Sequence, residues 1–73
     1  MPANTMREVG QRIAATRRAH RMTQQQLSAA SFVSLSMLRK IEQGSRFPSD
    51  DTLDALAAAL NVDPGRLLTG HQR

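Results

Sequence analysis

The sequence predicts an all-α fold of five short helices. Three observations carry that reading: apolar residues recur at spacings of three and four with no alternating strand pattern, the segments with this spacing open on Thr, Ser or Asp, and Gly44, Pro48 and Asn61 separate the later ones. Thr5-Met6-Arg7-Glu8 is a capping box, in which the Thr5 hydroxyl and the Glu8 carboxylate each accept from the other's backbone N–H. Val9, Ile13 and the Thr16/Arg17 pair follow on one face, and this first helix ends near His20. Thr23-Gln24-Gln25-Gln26 is a second capping box, opening a two-turn helix that carries Leu27 and Ala30 and stops around Ser31.

After a short turn, Ser34 caps a third helix over residues 34–43, which sends Leu38 and Ile41 inward and ends at Gly44, where a left-handed residue is wanted. Pro48 and Ser49, followed by Asp50 and Asp51, mark a loop and a fourth helix whose acidic first turn suits the helix dipole. That helix carries Leu53, Leu56, Ala57 and Leu60, and Asn61 offers a left-handed exit. Asp63-Pro64, a cap with proline at the first helical position, opens a last helix through Leu67 and Leu68, leaving residues 69–73 as a tail.

With 73 residues and no linker-like stretch, the chain is expected to form one domain with its core over about residues 5–69. A domain this small buries only about 60% of its unfolded surface. There is no cysteine to form a disulfide or a thiolate site, and His20 and His71 have no ligand-like spacing; both are expected to be exposed, and neither metal nor cofactor is expected. The apolar run at residues 56–60 is far short of the roughly 18 residues of a membrane span. Since the N-terminus also lacks a signal-peptide hydrophobic stretch, a soluble, cytoplasmic protein is expected.

Charge is unevenly placed: residues 1–49 hold eight Lys/Arg against Glu8 and Glu42, a net of +6, and the remainder is −2. A basic half suits a phosphate-bearing partner, and equally a solvated face or an anionic membrane. The aromatic content narrows this. With Phe32 and Phe47 alone, and no Trp or Tyr, the chain lacks the stacking platforms used on single strands, so duplex DNA is the favoured polyanion.

Two short helices about a turn, the second with one narrow apolar stripe, are what a DNA-reading helix-turn-helix needs. In the third helix Leu38 and Ile41 form the stripe with Met37 at its edge, while Leu35, Ser36, Arg39, Lys40 and Gln43 share a second face free to meet a groove. The residues here also resemble a family. Thr23-Gln24-Gln25-Gln26-Leu27, Val33-Ser34, Arg39-Lys40-Ile41-Glu42-Gln43-Gly44, Pro48-Ser49, Thr52-Leu53, Leu56-Ala57, Leu60 and Leu67-Leu68 are similar to the lambda-repressor/Cro type of helix-turn-helix, also called XRE, over about residues 9–68.

The resemblance implies that the N-terminal end of the third helix enters the major groove and that Gln24 contacts a phosphate. Base contacts are expected from Leu35, Ser36, Arg39 and Lys40, since Lys or Arg donates to guanine O6 and N7 and Leu35 suits a thymine methyl. Phosphate contacts are expected from Gln24, Ser34, Gln43 and Arg46. Arg17 and Glu42 correspond to positions that often join the first and third helices by a buried ion pair in this family, against the plainer reading of two solvated charges. The expected partner is a pseudo-palindromic duplex operator, bound by a homodimer that regulates transcription, chiefly by repression. The chain is expected to be either a small regulator in its own right or the N-terminal domain of a longer one. A protein-interaction module, such as an antitoxin with weak DNA binding, is the alternative class, and it would show neither a preferred sequence nor a steep salt dependence.

Two positions depart from the family: Arg21 and Phe32 stand where glycine is usual, so each either takes a positive φ at about 1 to 2 kcal/mol or reshapes its turn. Phe32 is expected in the core between the second, third and fourth helices, because little else of size lies between Leu27 and Leu35. Ala55, Ala58 and Ala59 need no more than high helix propensity to explain them, although small residues also suit a dimer surface. Asp50, Asp51 and Asp54 are accounted for by the start of the fourth helix rather than by a magnesium site. No nucleophile elbow, phosphate loop or zinc-binding helix motif is present, so catalysis is not expected.

Overall fold

The structure, a computed structural model, describes residues 5–70; His71, among the sequence candidates, lies outside them. The described residues form α1 (Met6–Ala19), α2 (Gln24–Ser31), α3 (Leu35–Gln43), α4 (Asp50–Leu60) and α5 (Pro64–Thr69), with no strand among them. The all-α, five-helix expectation holds, with boundaries within about a residue or two of those read from the caps. Both capping boxes are closed: Glu8 N–H donates to Thr5 Oγ1 and Thr5 N–H to Glu8 Oε1, and Gln26 and Thr23 exchange the same two bonds. Ser34, Ser49 and Asp63 accept from Met37, Thr52 and Gly65 at the starts of α3, α4 and α5.

Three helices end in the same way. The residue after each last turn takes a positive φ, +58° at Arg21, +82° at Gly44 and +57° at Asn61, and the following N–H folds back to close the turn. Met22, Ser45 and Val62 donate to the carbonyls of Arg17, Lys40 and Ala57 at 3.1, 3.0 and 3.0 Å. Arg21 therefore keeps the left-handed geometry usually given to glycine.

Phe32 keeps it too, at φ +61°, but α2 ends on side chains instead. Ser31 Oγ donates to Leu27 O at 2.7 Å and accepts from Val33 N–H at 3.3 Å, while Ser28 Oγ donates to Val33 O at 2.5 Å. These bonds brace the turn and decide which way the next two side chains point. Val33 goes inward and is buried; Phe32 goes outward and is 96% exposed. The expectation of a core phenylalanine is therefore wrong. Val33 joins the core cluster in its place, together with Leu27, Leu38 and Leu53, and Met37 is packed against that cluster. Because the ring packs on nothing, its backbone strain is not offset, and Phe32→Gly should stabilise the domain by about 0.5 to 1 kcal/mol after the added flexibility of the unfolded chain is subtracted. The check is a rise in the urea midpoint at unchanged slope; a fall would show that the ring does contribute to packing.

The core is continuous: Val9 and Ile13 from α1, Leu27, Val33, Leu38 and Ile41 from the helix-turn-helix, Leu53, Leu56, Ala57 and Leu60 from α4, and Leu67 from α5. Helix α1 lies so close to α3 that a Cβ on Gly10 would strike the Ile41 carbonyl oxygen and press on the Glu42 carbonyl. At its other side α1 holds α5, since Arg12 Nη1 donates to Leu68 O at 2.7 Å and supplies a partner for a carbonyl at the end of that helix. Thus α1 is the element against which both α3 and α5 are fixed. No described helix is long and apolar enough to cross a membrane.

Candidate nucleic-acid interface

Helix α3 divides as its period of 3.6 requires. Leu38 and Ile41 are fully buried, Leu35 and Met37 are half-buried, and Ser34, Ser36, Arg39, Lys40 and Gln43 are exposed on the other side. Arg46, beyond Gly44, is exposed as well. The long cationic side chains are thus held by the buried stripe beneath them and project from one rigid element. The helix opens with its chemistry reversed: Ser34, Leu35 and Ser36 carry hydroxyls and an isobutyl group but no charge, and Phe32 stands two residues ahead of them. Ser34 Oγ already accepts from Met37 N–H at 3.1 Å, which leaves its hydroxyl hydrogen as a donor.

Not all of the basic half reaches this surface. Arg12 is used on the end of α5, and Arg17 is 8% exposed and faces Glu42. Arg17 Nε and Nη2 donate to Glu42 Oε2 and Oε1 at 2.8 and 3.0 Å, a two-pronged contact, while Nη1 donates to the Met22 carbonyl at 2.8 Å. The side chains are 10% and 5% exposed, so this ion pair between α1 and α3 is largely out of water. The hydrogen bonding of Arg17 to the Glu42 carboxylate is the main reason that its pKa lies above its ordinary value; burial opposes the shift and the Glu42 charge assists it.

Glu42 has a second guest. Gln24 Nε2 donates to Glu42 Oε1 at 3.0 Å, so the amide at the start of α2 is aimed by the same carboxylate that anchors Arg17. One Nε2 hydrogen is committed, and the amide keeps its other hydrogen and its oxygen for an outside partner. Sequence reasoning placed Gln24 at this helix start but missed the link, which spans 18 positions. It also passed over Gly10 and Arg12. For Gly10 a signal existed, an isolated glycine in the middle of a helical pattern, which usually marks close packing; for Arg12 there was none.

Among the described residues, the large exposed apolar side chains toward the other end of α3 are Met6 and Phe47, the former next to Arg7, whose Cα lies against Gly44. The candidate surface therefore runs from Phe32 and Ser34, along the exposed face of α3, to Gln43 and Arg46, with the Gln24 amide at the start of α2.

Residues 13–67 match the model of a protein family described as helix-turn-helix. The chain belongs to that family, in its lambda-repressor/Cro form. As a helix-turn-helix protein it is similar to the immunity repressor protein of Bacillus phage phi105, with 44% identity over 54 residues that cover 74% of this chain and 38% of that protein. It thus spans well under half of that relative's length. Among solved structures, the restriction-modification controller protein C.AhdI of Aeromonas hydrophila is 31% identical with a TM-score of 0.82, over 85% of this chain and 94% of the controller. The competence regulator ComR of Streptococcus vestibularis, in its apo form, is 29% identical with a TM-score of 0.82, over 93% of this chain and 23% of ComR. The helix-turn-helix here is α2, the turn at residues 32–34, and α3. The family is one of DNA-binding regulators.

Proposed function

We propose that the protein binds a specific duplex sequence and represses transcription, with α3 in the major groove. The observation that carries this is the exposed face of Ser36, Arg39, Lys40 and Gln43 on a helix whose opposite stripe is fully buried. Leu35, Ser36, Arg39 and Lys40 read base edges; Gln24, Ser34, Gln43 and Arg46 hold phosphates on either side. Glu42 orients the Gln24 amide, so the Arg17 pair serves the interface without touching it. Likeness to a phage immunity repressor supports repression over activation. A duplex with two-fold pseudo-symmetry, bound by two copies with half-sites about one helical turn apart, fits a reading unit of this size.

Selection from a random duplex library, followed by titration of the winning sequence at several salt concentrations, tests the reading. A palindromic consensus and a steep negative log-log salt slope are expected; a flat slope with no consensus would favour a protein-interaction module. Arg39→Ala and Lys40→Ala should each weaken the selected site by about 1 to 3 kcal/mol and relax preference at one base pair if the side chain meets guanine. Gln24→Ala should weaken all sequences alike, and a changed consensus in its selection would show that it reads a base.

A further inference from the structure

The outward ring of Phe32 is a residue with a cost and no return inside the fold. It holds the left-handed turn at φ +61°, where a side chain is unfavourable, and at 96% exposure it packs on nothing. Strain of this kind persists only where the surroundings impose it, and here the Ser28 and Ser31 hydroxyls do so by bonding both sides of Val33. The Cα–Cβ bond of Phe32 is therefore held pointing outward, two residues ahead of the Ser34 cap.

We infer that Phe32 is a specificity-determining residue that packs against a thymine 5-methyl group at the edge of the half-site, an inference that rests on α3 entering the major groove. The chemistry of the neighbouring surface selects this partner. The end of α3 that carries Arg39, Lys40 and Arg46 is cationic, whereas the opening end, with Phe32, Leu35 and two serines, has no charge. In the major groove the one apolar feature a base pair offers is the thymine methyl. A protein partner is a poorer match, because a stable interface covers roughly 800 Å² on each side, and the other large exposed apolar side chains among the described residues, Met6 and Phe47, lie toward the opposite end of α3. A single ring suffices for a contact with one methyl group.

The test is a cycle on the selected duplex. The parent, Phe32→Gly and Phe32→Asn are titrated against the thymine-containing site and against the same site with uracil at each thymine in turn. Glycine and asparagine both suit a left-handed residue, so the turn survives and loss of the ring is isolated. Both variants are expected to melt no lower than the parent and to bind about 5- to 20-fold more weakly. Uracil at one thymine should weaken the parent by a similar factor and leave both variants unaffected. If the parent binds its site and the variants bind it equally well with equal uracil sensitivity, Phe32 reads nothing and the inference falls while the DNA-binding reading stands. Variants that keep their DNA affinity but lose self-association in sedimentation would overturn it in favour of a protein contact. A parent with no preferred duplex would remove the reading on which it rests.

Discussion

Arg17→Met is expected to destabilise the domain by about 3 to 5 kcal/mol, the largest loss from any single side chain considered. The variant leaves the Glu42 carboxylate, 5% exposed, without the guanidinium that takes both its oxygens, and only the Gln24 amide remains to bond it. A buried charge stripped of its partner is what makes such a substitution costly, whereas removing both charges is far milder. Arg17→Met combined with Glu42→Met should therefore recover much of the loss, and the coupling in a urea double-mutant cycle measures it. Small additive losses would mean two independent surface charges. The raised pKa of Arg17 fixes the alkaline behaviour: stability from a raised cation is present below its unfolded value and fades only as pH climbs through the folded one, beyond the ordinary arginine range, so deprotonation of Arg17 makes no contribution to unfolding at mild alkaline pH. The pair also acts on the proposed interface indirectly, through the Gln24 amide that Glu42 holds. With Glu42 gone, the Gln24 amide loses its orientation, so the double variant should fold yet bind duplex DNA less tightly across all sequences.

Gly10→Ala is expected to cost about 2 kcal/mol, although alanine is the better helix former. Propensity alone favours the change by about 1 kcal/mol. Against it stands the carbonyl oxygen of Ile41, which a Cβ would strike, with the Glu42 carbonyl oxygen 3.1 Å away. The obstacle is backbone in the last turn of α3, not the tip of a flexible side chain, so the two helices must separate, and overpacking of this kind costs about 1 to 3 kcal/mol or more. In a domain of this size the net loss corresponds to a fall in Tm of about 8 to 16 °C by calorimetry. A variant that melts above the parent would mean that α1 and α3 are not in backbone contact. Gly10→Val should be worse, since it adds volume at the same point and gives up the propensity gain.

The parts of the fold that were legible in the sequence are those decided within about four residues. The boxes at Thr5 and Thr23, the caps at Ser34, Ser49 and Asp63, and the exits at Gly44 and Asn61 are bonds between near neighbours, and the structure has each of them where the residue types place them. The two faces of α3 follow from the same kind of local rule, because the helical period alone puts Leu38 and Ile41 opposite Ser36, Arg39 and Lys40. Phe32 was misread for want of one local sign. Hydrophobicity argued for the core, but a positive φ held by Ser28 and Ser31 turns Val33 in and the phenylalanine out, and two serines in a helix do not announce such a brace.

By itself, then, the sequence determined that this is a five-helix chain with a helix-turn-helix, where each helix begins and ends, and which face of α3 is free. Only the tertiary structure decided that Glu42 holds Arg17 and Gln24 together, that Arg12 supplies the end of α5, that Gly10 is where α1 meets the backbone of α3, and that Phe32 points to solvent. The reason is range. Caps and periodicity are settled by bonds that form within a turn of helix, whereas these contacts join residues 18 to 56 positions apart or depend on a turn braced from both sides, and they exist only once the helices have packed.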